Sequence, residues 1–184
     1  MTKTASRLSP SVPSTVWMRP LPPATRLSFY GNAAARALAA AVWQAPFSEE
    51  PLRATTDGTR ATLWLGPDEY LLLAAAEDPA DLVQQRLDAA LAAVPHALVD
   101  ISHRQTAVEI HGRESQAILN GACPLDLDIE AFPVDMCTRT VFAKADIVLW
   151  RTAPDTFHLE FWRSFSDYVT GLLSVIARDY YPSR

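Results

Sequence analysis

The residues most typical of an active site lie in a short polar break between two strand-like segments. Asp100, His103 and Arg104 follow one another closely there, and a histidine oriented by a carboxylate is a common general base. Asp100 is also suited to forming a turn at the end of a strand, because aspartate side chains accept hydrogen bonds from nearby backbone amides. The sequence favours the turn over the catalytic pair.

The cysteines and histidines offer two further chemistries, nucleophilic catalysis and metal binding. Cys123 and Cys137 belong to neither a CxxC pair nor a paired-histidine motif, so a zinc site has little support. A hydrolase using Asp100, His103 and Cys123 would need all three in one pocket. Without a secretory context we expect free thiols and a cytoplasmic protein. The four histidines have no metal-ligand spacing: His96, His103, His111 and His158.

Other function classes are disfavoured by motif content and charge. No GxSxG, P-loop or GxGxxG motif occurs, and the chain has only six glycines. A net charge of -5 argues against non-specific nucleic-acid binding, and no apolar run reaches the roughly 18 residues of a membrane span. We therefore predict no catalytic, cofactor-binding or metal-binding residues, and neither nucleic acid nor membrane as a partner.

Tryptophans and arginines occur where a protein interface would use them. Trp150-Arg151 and Trp162-Arg163 each end a predicted strand, and if the two strands pair, all four side chains share one sheet edge. These residue types anchor many interfaces, but tryptophans covering a core with arginines extending past them fit equally well. The predicted partner interface comprises Trp17, His103, Arg104, Pro124, Trp150, Arg151, Trp162 and Arg163.

The elements that position these residues form two predicted α+β units. Residues 26–101 give the order strand, helix, strand, strand, helix, strand, which is the ferredoxin-like βαββαβ arrangement. Asn32 is a good N-cap for an alanine-rich first helix, and Asp78 with Pro79 predicts the start of the second. We predict the buried face of the first helix at Ala34, Leu38, Ala41 and Val42.

Residues 102–184 repeat this plan with one extra strand before the last helix. We interpret the chain as an approximate internal duplication, with helices packed on antiparallel sheets. Residues 1–25 contain repeated prolines and predict an extended tail that forms neither a helix nor a paired strand. Val16, Trp17 and Met18 in this tail are predicted to dock on this chain or on a neighbour.

A series of segments, in a fixed order, resembles the gamma subunit family of heterotetrameric sarcosine oxidases. The segments cover most of the chain from about residue 60: LGPDEYLLL at 65–73, VDISHRQ at 99–105, ILNGACPLDL at 118–127, AFP at 131–133, CTRT at 137–140, VLWRT at 148–152 and RSFSDYV at 163–169. The stretch from Leu98 to Leu127 is also similar to the folate-binding aminomethyltransferase family. That similarity implies an aminomethyltransferase-like fold.

The resemblance implies an accessory subunit without catalytic residues of its own. The complex of that family oxidatively demethylates sarcosine to glycine, and FAD, FMN, NAD and tetrahydrofolate are expected in the partner alpha, beta and delta subunits. Related amine-demethylating complexes such as N-methylglutamate dehydrogenase use a similar chain, so the methylated amine stays open. The alternative is a stand-alone folate-binding or aminomethyltransferase-like protein.

Overall fold

Two five-stranded antiparallel sheets and four helices build the computed structural model, which describes residues 17–180. The strands are β1 Trp17–Pro20, β2 Ala24–Gly31, β3 Ala54–Thr56, β4 Arg60–Gly66, β5 Glu69–Ala75, β6 His96–Asp100, β7 Gln105–His111, β8 Cys137–Phe142, β9 Ala145–Ala153 and β10 Thr156–Trp162. The helices are α1 Ala33–Trp43, α2 Ala80–Leu91, α3 Ser115–Asn120 and α4 Ser166–Ala177, the last preceded by a 3-10 turn, Arg163–Phe165. No helix within residues 17–180 is long and apolar enough to cross a membrane.

The first sheet has the strand order β3-β4-β5-β2-β6. Its central strands and two long helices follow the ferredoxin-like plan, which confirms the predicted α+β class. Trp43, Phe29 and Leu87 are fully buried between this sheet and its helices. The residues of β2, β5 and β6 therefore alternate between this core and the opposite face of the sheet.

The second sheet has the order β1-β7-β10-β9-β8. Strand β1 pairs with β7 in antiparallel register, Trp17 opposite His111 and Pro20 opposite Val108. The prediction that residues 1–25 form no paired strand is thus wrong at β1, because Pro20 ends an edge strand, where a missing amide costs little. Residues 1–16, including Val16, lie outside the described part of the chain.

The two halves match more closely than the sequence suggested. Strand β3 is additional to the four strands predicted for residues 26–101, and it takes the same place beside β4 that β8 takes beside β9. The extra strand predicted only for the second half is therefore present in both. The division of the chain into residues 1–25, 26–101 and 102–184 stays a prediction.

Two helix details differ from expectation. Asn32 caps α1 as predicted, accepting from the Ala35 amide at 3.1 Å, but the buried residues are Ala35, Ala39 and Trp43. An alanine-rich helix offers little contrast between its faces, so the large Trp43 ring sets the rotation. Asp78 does not cap α2, because its carboxylate pairs with Arg60 at 2.8 Å.

The two sheets pack face to face through the sides that carry no helices. Apolar residues from both sheets meet there, among them Leu63, Leu71, Cys137 and Val148. On one side the sheet edges are joined by backbone hydrogen bonds, from the Ala54 amide to Asp135 O at 2.7 Å and from the Cys137 amide to Leu52 O at 2.8 Å. The opposite edges, β6 and β1, have no pairing partner on their outer sides among the described strands.

Candidate partner interface

The β6–β7 turn and the end of β10 lie side by side and bring four of the predicted interface residues together. The Arg163 amide donates to Arg104 O at 2.9 Å, and Trp162 is opposite Gln105 in the sheet register. The Arg104 guanidinium lies 5.2 Å from the centre of the Trp162 ring, a cation–π distance. We call the exposed residues of this region the Trp162 patch: His103, Arg104, Trp162 and Arg163.

The Asp100 carboxylate is used locally by the turn that supports this patch. It accepts hydrogen bonds from the Ser102 amide at 2.8 Å and from the Ser102 hydroxyl at 2.5 Å. The Ser102 hydroxyl in turn accepts from the Arg26 amide at 2.9 Å. Asp100 therefore acts as a turn former, and its carboxylate forms no hydrogen bond with the exposed His103 among those of the described residues.

The four Trp and Arg residues of β9 and β10 do not share a sheet edge. Trp150 lies opposite His158, near the start of β10, whereas Trp162 ends that strand. Because the two strands are antiparallel, the end of β9 meets the beginning of β10. The prediction of one shared edge is wrong for this reason.

The remaining predicted interface residues are scattered. Trp17 stacks against His111 with ring centres 5.1 Å apart at the edge of the second sheet, and Pro124 is exposed in the loop after α3. Trp150 is half-buried against the inter-sheet core. Of these three residues, Trp17 and Pro124 are exposed, and the side chain of Trp150 is less exposed.

Arg151 is buried and cannot offer its guanidinium to a partner at the surface. Its exposed fraction is 2%, and it donates to Leu127 O at 3.1 Å, to Phe132 O at 2.6 Å and to Pro154 O at 2.8 Å. Burial lowers the pKa of this guanidinium from its usual value. Arg151 therefore organises the loop of residues 121–136 from within.

Beside the Trp162 patch, the two sheets separate to leave a cleft of about 240 Å³. Its wall includes Arg104, Gln105, Asp146 and Glu160. Deeper between the sheets, Arg26 Nε donates to Glu160 Oε2 at 2.6 Å, and both side chains are almost fully buried. Glu160 Oε1 lies 2.8 Å from His158 Nε2.

Sequence reasoning missed this buried charged group. On the polar face of an alternating strand His158 would be exposed, yet it is half-buried between the sheets. The available signal was the alternation of TFHLEFW, which places His158, Glu160 and Trp162 on one face. That signal does not reveal that a second sheet covers the polar face.

The two cysteines are free and buried in different cores. Cys123 lies in the core between the second sheet and its helices, away from the exposed His103. Cys137 lies between the sheets, where burial raises the pKa of its thiol to about 12. Asp100, His103 and Cys123 therefore do not form one pocket, and no metal-binding group of side chains is found within residues 17–180.

Comparisons with known proteins agree with this fold. A model of the sarcosine oxidase, gamma subunit family matches residues 30–177. The sarcosine oxidase subunit gamma of Corynebacterium sp. (strain P-1) is 35% identical over 116 residues, which cover 62% of this chain and 54% of that protein. The Arthrobacter sp. subunit is 34% identical over 130 residues, covering 70% and 62%. The chain thus spans less than two thirds of the length of these relatives.

Solved structures of related proteins have the same fold as this chain. A chain of the heterotetrameric sarcosine oxidase from Corynebacterium sp. U-96, in complex with pyrrole 2-carboxylate, superposes with a TM-score of 0.85 at 26% identity, covering 92% of this chain and 87% of that one. Aminomethyltransferase T of the glycine cleavage system from Bartonella henselae shares the fold, with a TM-score of 0.66 at 11% identity over 86% of this chain and 45% of that one. The predicted aminomethyltransferase-like fold is confirmed. The chain belongs to the sarcosine oxidase gamma subunit family.

Proposed function

We propose that this chain is an accessory subunit of a sarcosine oxidase-type complex that oxidatively demethylates sarcosine to glycine. The observation that carries the proposal is the superposition of 92% of the chain on one chain of a heterotetrameric sarcosine oxidase. The partners are then alpha, beta and delta subunits. These subunits carry FAD, FMN, NAD and tetrahydrofolate, because redox and one-carbon chemistry reside in such cofactors.

The polar groups of the chain support a role in contacts rather than in catalysis. The Asp100 carboxylate is held by Ser102, and Glu160 is neutralised by Arg26. Both carboxylates therefore have partners within the chain and are not free to contact a substrate.

We propose the Trp162 patch as a contact surface for a partner subunit. Trp162 is 46% exposed, and exposed tryptophan beside arginine is the composition that anchors protein interfaces. Arg104 holds the indole face from one side, so the ring is positioned before a partner arrives. A positioned ring loses less conformational entropy on binding than a free one.

Affinity purification of the tagged full-length chain from its native host tests the proposal. We expect stoichiometric flavin-bearing subunits to accompany the chain and the purified assembly to oxidise N-methylglycine. A chain recovered in full yield without flavin absorbance would contradict the proposal.

A pair of variants tests the surface itself. Trp162→Ser should reduce recovery of the partners at least tenfold, because interface tryptophans carry a large share of the binding free energy. Leu82→Ser is the matched control, since Leu82 is 48% exposed on α2, outside the patch. Equal partner recovery with the two variants would place the interface elsewhere.

A further inference from the structure

The cleft between the two sheets contains polar side chains that lie outside the Trp162 patch, among them Gln105 and Asp146. Gln105 Oε1 is buried and accepts no hydrogen bond within the described part of the chain. A buried acceptor without a donor is costly, by a free energy comparable to a lost hydrogen bond. In the wall of a cavity, such an atom is placed to accept an N–H or O–H group from a ligand.

The charges of the cleft wall restrict the ligand further. Two cations and two carboxylates line it: Arg104, Arg139, Asp146 and Glu160. Arg139 is paired with Glu69 and Glu160 with Arg26, whereas Arg104 and Asp146 form no ion pair with residues 17–180. One free cation and one free carboxylate in the same wall suit a ligand that carries both charges.

The cleft has room for a small ligand. Its volume is about 240 Å³, below the roughly 300–1,000 Å³ typical of pockets for drug-sized molecules. A ligand of a few non-hydrogen atoms fits this volume.

We propose that this cleft binds a small zwitterionic amino acid. The Arg104 guanidinium takes the carboxylate, for which its planar fork of donors is suited. The Asp146 carboxylate takes the ammonium group, and Gln105 Oε1 accepts one N–H of the same ammonium. The ligand class follows from these side chains and goes beyond the subunit role proposed above; only the choice of N-methylglycine as a probe rests on that role.

Titration of the full-length chain with glycine and N-methylglycine tests the inference. Trp162 stands beside Arg104 at the mouth of the cleft, so tryptophan fluorescence and ligand-observed NMR report binding. We expect saturable binding, and at least tenfold weaker binding of acetate and methylamine, each of which carries one of the two charges.

Variants assign the binding to the cleft. Arg104→Gln and Asp146→Asn should each raise the dissociation constant about tenfold, because each removes one charge-assisted contact. Arg113→Gln is the control, since Arg113 is exposed beyond the other end of β7. All three positions are outside the cores, and circular dichroism checks that each variant keeps its fold.

Four results would overturn the inference. The first three are a response that does not saturate, equal binding of acetate and glycine, and cleft variants that bind like the parent chain. The fourth is binding of tetrahydrofolate that is tighter than that of glycine and is weakened by the same substitutions, which would assign the cleft to a folate. A chain that binds glycine but purifies alone contradicts only the subunit role, whereas an assembled complex whose free chain binds no amino acid contradicts only this inference.

Discussion

The first sheet is completed by a strand that follows its second helix, whereas the second sheet is completed from the opposite end of the chain. Strand β6 comes after α2 and pairs with β2. Beside β7, the equivalent place is occupied by β1, from the N-terminal part of the protein. The chain therefore enters the second sheet, builds the first, and returns to finish the second, which ties the two halves together.

The cores on the helix sides also differ in how an arginine is used. In the first half, Arg60 on β4 pairs with Asp78, donates to Trp43 O at 2.7 Å and remains partly exposed. In the second half, Arg151 on β9 is buried and bonds only to backbone carbonyl groups. The short α3 leaves a long loop to cover the second core, and a buried arginine replaces helix packing there.

Buried charges are satisfied in different ways on the two faces of the sheets. The face between the sheets carries the buried Arg26–Glu160 ion pair, whereas the buried arginine of the helix-side cores, Arg151, pairs with no carboxylate of the described residues. Polar groups at such a junction fix how the two halves sit on each other, because an ion pair has stricter geometry than apolar contacts.

The largest expected effect is at this junction. Arg26→Met or Glu160→Leu alone should lower the free energy of unfolding by about 3–5 kcal/mol, because each breaks a buried ion pair. Arg26→Met leaves Glu160 with His158 as its remaining partner, and Glu160→Leu leaves Arg26 without a carboxylate. The double variant should recover most of the loss. Urea denaturation measures all three, and single variants within about 1 kcal/mol of the parent would show that the pair does not hold the sheets.

The next largest effect on stability is expected from the two arginines on the helix sides of the sheets. Arg151→Met should cost about 3 kcal/mol, because buried carbonyl groups lose their donors. Arg60→Met should cost less, about 1–2 kcal/mol, since the partly exposed Asp78 can turn to water and only the carbonyl of the buried Trp43 loses its donor. Thermal unfolding of both variants checks the order. A larger loss for Arg60→Met would mean that the loop of residues 121–136 does not depend on Arg151.

Substitutions at two glycines should change the free energy of unfolding by smaller amounts and in opposite directions. A Cβ at Gly31 would lie 2.7 Å from Ala35 Cβ, where β2 runs into α1, so Gly31→Ala should destabilise by about 1–3 kcal/mol. At Gly171, within α4, nothing lies within 4 Å of an added Cβ. Gly171→Ala should therefore stabilise by about 0.5–1 kcal/mol. Chemical denaturation measures both variants, and changes in the free energy of unfolding that have the same sign would contradict this expectation.

The sequence predicted those features of the fold that depend on local chemistry. Asn32 was assigned as an N-cap from its side chain alone, and the order strand, helix, strand, strand, helix, strand of the first half was also predicted. Strand β1 was missed because its pairing is with β7, far along the chain. Proline content describes a local preference, which a long-range partner overrides at a sheet edge.

The candidate interface also depends on long-range contacts that the sequence does not reveal. His103, Arg104, Trp162 and Arg163 were brought together by the fold, but no spacing in the sequence indicates that the β6–β7 turn meets the end of β10. Arg151 was indistinguishable from Arg163 in the sequence, since both follow a tryptophan. Arg151 is buried because carbonyl groups of the loop of residues 121–136 lie where they can accept its hydrogen bonds, and this position is known only from the structure.

The smallest expected effect concerns an exposed ion pair that joins the sheets at the cleft wall. Arg139 on β8 donates to Glu69 on β5, with Nη1 at 2.6 Å from Oε2. The hydrogen bonds from Arg139, together with one from Tyr30, hold the pKa of the Glu69 carboxyl below its usual value, although burial acts in the opposite direction. Because the folded-state pKa is depressed, the stabilisation is present above the unfolded pKa of about 4.3 and is lost as the pH falls through the folded value.

Arg139→Gln should therefore lower the stability by less than about 1 kcal/mol at pH 7, and the difference from the parent should vanish in acid. Urea denaturation across the acid range measures it, with Arg113→Gln as a control that should show no such dependence. A difference that persists after Glu69 is protonated would mean that Arg139 acts through packing. In that case only the buried Arg26–Glu160 pair would contribute electrostatic stabilisation between the sheets. The ion pair at the rim would then contribute through packing alone.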